Sequence, residues 1–121
     1  MAQNGGGNSL KSLLETVAVG ALLGAVVVRL YLRAERRQGS AARARAEQVI
    51  SACQQYRRDR GAYPDRLQAL LPDYLQQLPS AKWGKPFSYD SGQRHVLGWT
   101  EWEPFGRWYY VLEEERWGYL D

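Results

Sequence analysis

Thirteen consecutive residues, Thr16 to Val28, carry no charge, and they sit inside a longer apolar run from Leu13 to Leu32, LLETVAVGALLGAVVVRLYL. A helix of that length reaches about 30 Å, the thickness of a bilayer's hydrocarbon core. The run predicts one membrane-spanning helix over residues 11–33, preceded by a leader-like segment at 1–10. Glu15 and Arg29 then stand near the two interfaces, where their side chains reach water. A cleaved signal peptide fits less well, because basic residues follow the run more than they precede it and no small-residue cleavage site comes after it. Gly20 and Gly24 form a small-xxx-small pair that can bring a second helix close, although glycine is common in such helices in any case. A 121-residue chain with this much committed to lipid is left with a core near the lower limit for independent folding.

Past the apolar run the pattern stays helical. Ala42, Ala46, Val49, Ile50, Cys53 and Tyr56 fall three and four apart on one face, and AARARAEQ favours helix strongly. Residues 34–61 are therefore expected to continue the first helix as an amphipathic half, with Gly39-Ser40 as a kink or short break. Gly61 tolerates the positive φ that ends a helix, and Pro64 restricts Tyr63 to extended geometry. Asp65 is placed to cap a second short helix carrying Leu67, Leu70 and Leu71, which Pro72 closes.

From Trp83 onward the vocabulary is that of strands. Phe87 and Tyr89 alternate, DSGQ at 90–93 makes a turn, and His95 to Leu97 return. RWYYVL at 107–112 and WGYLD at 117–121 flank the charged tip EEER. The expected fold is α+β: a long N-terminal helix, its first half transmembrane, packed on a small antiparallel sheet of three or four strands. The head, residues 62–121, should be rich in buried aromatics, with acidic residues facing water.

Charge divides unevenly. Residues 33–66 carry nine basic and four acidic side chains, and residues 67–121 carry five and eight, which suggests charge-guided packing between copies or partners. A different class of function would use the basic helix 33–66 to bind nucleic acid or an anionic surface. Glu35, Glu47 and Asp59 interleave its arginines, which suits a solvated helical face better. One cysteine, Cys53, excludes an internal disulfide, and one histidine, His95, leaves little for a metal. With the roles of nucleophile, base and orienter unfilled, no catalysis, cofactor or metal is expected. Cys53, on the apolar helical face, reads as a small buried hydrophobe.

Together, the apolar first half-helix, the amphipathic second half ending in YRRDRGAYPDRLQALLPDYLQQLP, and WGKPFSYDSG resemble the type IV pilin-like proteins, specifically the pseudopilins of bacterial type II secretion. The resemblance covers roughly residues 11–97 and rests on Tyr56, Asp59, Gly61, Tyr63, Pro64, Leu67, Leu70, Trp83, Gly84, Pro86, Phe87 and Tyr89. At the N-terminus, Ser12, Leu13, Leu14 and Glu15 keep the family's register, while Leu10 and Lys11 stand where it has glycine and phenylalanine.

The resemblance implies a pilin-like fold and a single-pass subunit of the bacterial inner membrane with a periplasmic head. It also implies assembly into homo- or hetero-oligomers with other pilin-like subunits or secretion-system components. Glu15 would then neutralise the N-terminal amine of a neighbouring subunit; its alternative role is a capping box with Ser12 at the helix start. Calcium, bound by some relatives in a C-terminal loop, would need Asp90, Glu113, Glu114, Glu115 or Asp121, whose spacing is not that of a calcium loop. Counted against the resemblance, Arg33, Arg36, Arg37, Arg43 and Arg45 follow the span and Lys11 alone precedes it. That balance places the head in the cytoplasm by the positive-inside rule.

Overall fold

The computed structural model describes residues 5–102 and 104–121, with side chains described from residue 8 onward. Helix α1, Gly5–Arg60, is followed by 3₁₀ turns at Leu67–Leu70 and Lys82–Gly84 and then four strands: β1 Ser88–Asp90, β2 Val96–Thr100, β3 Arg107–Val111 and β4 Arg116–Leu120. The chain divides into two compact units, residues 1–36 and residues 37–121. In the first, every described residue from Asn8 to Arg33 is exposed, and the apolar stretch is long enough to cross a membrane.

In the second unit, the head, the strands form one antiparallel sheet in the order β1-β2-β3-β4. Register decides which side chains share a face. Leu97, Tyr110 and Trp117 make one cross-strand row and Trp99, Trp108 and Tyr119 the next. On this inner face the rings of Tyr110 and Trp117 lie 5.0 Å apart and those of Trp99 and Trp117 meet edge to face at 5.7 Å, an arrangement that adds to area burial. Against these rings the helix presents Ala42, Ala46 and Val49, all at 0 % exposure, with Ile50 and Cys53 beside them in the same core. Small residues on the helix leave room for large ones on the sheet. Burial pushes the Cys53 thiol up to about 12, so it stays protonated and packs as a hydrophobe.

Three expectations change. The helix runs through Gly39-Ser40 without a break, because Gly39 is where the Glu101 side chain closes on the helix; a methyl there would stand 3.0 Å from Oε1. Ser12 is no cap: the helix has already begun at Gly5, and the Ser12 carbonyl accepts a 2.8 Å bond from the Thr16 hydroxyl. Asp65 caps nothing, since the segment between Pro64 and Pro72 has room only for a 3₁₀ turn with Arg66 at its N-cap and no side-chain cap bond. The outer sheet face carries Asp90 beside Val96, Thr100, Arg107, Tyr109, Val111 and Arg116, and Glu113, Glu114 and Glu115 stand exposed in the β3–β4 turn, so these acidic side chains face water as expected.

The helix face carries the head, so Val49→Asp should lower its stability by more than about 4 kcal/mol, seen as loss of a cooperative melt in tryptophan emission. Val19→Asp, at a position 55 % exposed, should leave that melt unchanged.

Candidate functional site

Three groups of residues could carry function. The first is the apolar stretch of α1. Gly20 and Gly24 lie one helical turn apart, and a methyl on either would meet nothing within 4 Å, so the notch they form is open. Leu22 and Leu23 beside them are 67 % and 62 % exposed. Glu15 is exposed in the same stretch, and no residue among those described partners it.

The second is the junction after the helix. Gly61 takes φ +84° and its N–H bonds the Arg57 carbonyl at 2.7 Å, which closes the helix. Tyr63 is buried; its hydroxyl donates to the Leu112 carbonyl at 3.0 Å and accepts from Arg57 Nη1 at 3.1 Å. Pro64 is buried too, and its carbonyl accepts from the Tyr89 hydroxyl at 2.6 Å. Burial holds the Tyr89 phenol above its ordinary range. Tyr56 stacks on Tyr74 at 5.3 Å, and the Tyr74 hydroxyl donates to Asp59 at 3.0 Å. Tyr56, Gly61, Tyr63 and Pro64 are therefore brought together as a structural knot that ties the helix end to β1 and to the end of β3. Beside it, the His95 ring and backbone N–H contact Glu113. Burial alone would raise that carboxyl's pKa, but these hydrogen bonds outweigh it and hold it below its ordinary value.

The third group lies at the other end of the head. Trp83 and Gly84 sit in successive left-handed conformations, φ +54° and +73°. For tryptophan this backbone costs about 1–2 kcal/mol. Trp83 and Pro86 are exposed, so neither joins the core. Lys82, in contrast, is 3 % exposed, and its ammonium donates to the Glu101 carbonyl at 3.0 Å and to Glu101 Oε1 at 3.4 Å. It also lies 5.0 Å from the Trp102 ring. Glu101 Oε2 accepts from the Trp99 indole at 3.1 Å, and Gln38 accepts from the Trp83 N–H at 3.3 Å. Helix residues 38–39, the 82–84 turn and the 101–106 loop thus meet in one polar network. No sequence pattern assigns a role to Lys82 or Glu101; the one available signal is a glycine at position 39 inside a helix-favouring run.

Four of the nine basic side chains of residues 33–66 are occupied within the head. Arg43 lies 3.9 Å from the Trp117 ring centre, Arg45 donates to the Ser80 and Ala81 carbonyls, Arg57 lies over Tyr63 and Arg60 over Tyr56. Among the described residues no group of three or more His, Cys, Asp or Glu side chains could hold a metal ion, and Asp90, Glu113, Glu114, Glu115 and Asp121 do not gather. An open groove of ≈ 550 Å³ on the outer sheet face, over Gly98, Arg107 and Tyr109, has no carboxylate, imidazole or thiol among its described lining residues. Comparison with family models, with curated proteins and with solved structures gave no match.

Glu101→Gln removes a carboxylate that the buried Lys82 ammonium contacts and should destabilise the head by about 1–3 kcal/mol. Thermal melts of the wild type and the variant read that loss. For Glu113, whose folded pKa is depressed, the stabilisation is present above the unfolded carboxyl's pKa and lost as pH falls through the folded one. The melting temperatures of wild type and Glu113→Gln should accordingly differ at neutral pH and converge on acidification.

Proposed function

We propose that this chain is a structural subunit of a pseudopilus or pilus-like assembly, of the kind linked to type II protein secretion, with no catalytic role. Its anchor is a single helix in the bacterial inner membrane and its pilin-like head lies in the periplasm. The observation that carries the reading is that one helix, Gly5–Arg60, supplies both a fully exposed apolar stretch and the buried face of an α+β head. A subunit built this way can stack with others through its exposed half while its head stays folded through the buried half.

Particular residues support the same reading. The open notch at Gly20 and Gly24 suits a neighbouring helix. Glu15 lies within the helix and not at its cap, which leaves its carboxylate for a charge on another subunit. Tyr56, Gly61, Tyr63 and Pro64, the motif residues of the resemblance, act together in the junction. The alternative, nucleic-acid or anionic-surface binding through residues 33–66, is weakened because Arg43, Arg45, Arg57 and Arg60 are engaged with rings and carbonyls of the head.

Those contacts also bear on topology. Arg43 and Arg45 have a folded-state reason for their place in the chain, so Arg33, Arg36 and Arg37 are what the positive-inside rule weighs against a periplasmic head. Reporters fused after Asp121, one active only in the periplasm and one only in the cytoplasm, test this directly. The periplasmic fusion should be active, and an active cytoplasmic fusion would overturn the assembly reading.

A further inference from the structure

Outside the apolar stretch of α1, the large hydrophobic side chains left exposed are Trp83 at 51 %, Trp102 at 46 %, Phe105 at 71 %, Tyr119 at 42 % and Leu120 at 58 %. Three of them occupy two loops that the Lys82–Glu101 contact fastens together. Those loops stand at one end of the head, the end where Gln38 and Gly39 begin its share of the helix. The opposite end, at Arg57, Tyr63 and the 112–115 turn, carries glutamates and arginines. The aromatic end is thus the one tied by the shortest chain to the apolar run.

Gln38 comes only six positions after Leu32, the last residue of that run. Six positions advance about 9 Å as helix and at most about 20 Å if drawn out fully. The headgroup layer beyond the hydrocarbon core is roughly 5–8 Å deep on each side. With the run in a bilayer, Gln38, which bonds the Trp83 N–H, lies within about 20 Å of the hydrocarbon edge. Tryptophan is the side chain that this zone favours, its ring apolar and its indole N–H able to bond water or lipid carbonyls.

We infer that the 82–84 and 101–106 loops form a lipid-seating platform, in which Trp83, Trp102 and Phe105 enter the interface of the membrane that anchors the chain. The inference rests on the membrane reading of α1. The occupant is phospholipid and not a second copy, because six residues keep this end of every head within reach of lipid. The fold keeps Trp83 outward in a left-handed conformation, beside a buried lysine that fixes the neighbouring loop.

All five tryptophans lie at or beyond Trp83, so none is in the apolar helix and emission reports on the head alone. The test uses the full chain reconstituted in phosphatidylcholine–phosphatidylglycerol vesicles, with and without lipid brominated near the headgroup, which quenches indoles in the interface. The ratio of emission in plain to brominated vesicles should exceed one for the wild type and fall to one for W83F/W102F. It should be kept by Trp117→Phe, a change at a ring packed against the core. A ratio of one in the wild type, or one undiminished in W83F/W102F, overturns the platform; the first result is also what burial of the patch against a second copy would give. Flotation of the same samples separates the two readings. A chain that floats with vesicles but is not quenched keeps its anchor and loses the platform, and a chain that does not float loses both.

Discussion

Everything in the head leans on a stripe of small residues. Ala42 and Ala46 are wholly buried where the inner sheet face carries Trp99, Trp108, Tyr110 and Trp117. A sheet this rich in rings can be backed only by a helix that gives up volume, and alanine does so without loss of helix propensity. The stripe also explains why such a short chain can fold: a few large rings bury the area that many aliphatic side chains would otherwise have to supply. Arg43 completes the arrangement from the edge, its guanidinium over Trp117 and its outer atoms in reach of Glu47 at 3.9 Å.

Where a residue's role follows from its own backbone or from periodicity, it was legible in advance. The face Ala42, Ala46, Val49, Ile50 and Cys53 follows from spacing, the stop at Gly61 from glycine's tolerance of positive φ, and the hairpins from runs of aromatic and β-branched residues between turn formers. Ser12 and Asp65 show the limit of such signals, because a capping residue is recognised from the few residues after it, and only the fold decides whether a helix starts there. Burial of Lys82 was out of reach altogether. It depends on a carbonyl and a carboxylate 19 positions away, and no local pattern encodes that meeting.

The basic middle of the chain shows how formal charge can mislead. Counted in sequence, the arginines of 33–66 make a strip suited to phosphates. In the fold, the guanidinium carbons of Arg43, Arg57 and Arg60 lie over rings and Arg45 bridges two carbonyls, uses that suit guanidinium better than ammonium. Their long stems cover aromatic surface that would otherwise meet water. A charge run on a helix that backs a tryptophan-rich sheet is therefore first a packing device.

Most departures from ordinary rules in the head collect at one end. A left-handed tryptophan, a buried lysine, a glycine in mid-helix and an exposed phenylalanine all belong to the meeting of residues 38–39, 82–84 and 101–106. The opposite end has Glu115 at φ +49° in its turn, and otherwise obeys local rules, with a glycine closing its helix, a buried tyrosine hydrogen-bonded through its hydroxyl and exposed charges in ion pairs such as Arg94 with Glu114 at 2.7 Å. Defects spread at random would weaken a small domain without pattern. Defects concentrated on one surface, and held there by a polar network, are what selection for contact with something outside the head leaves behind. Because that surface is also the one joined to the apolar helix by the fewest residues, the demands of anchoring and of folding meet in the same few side chains.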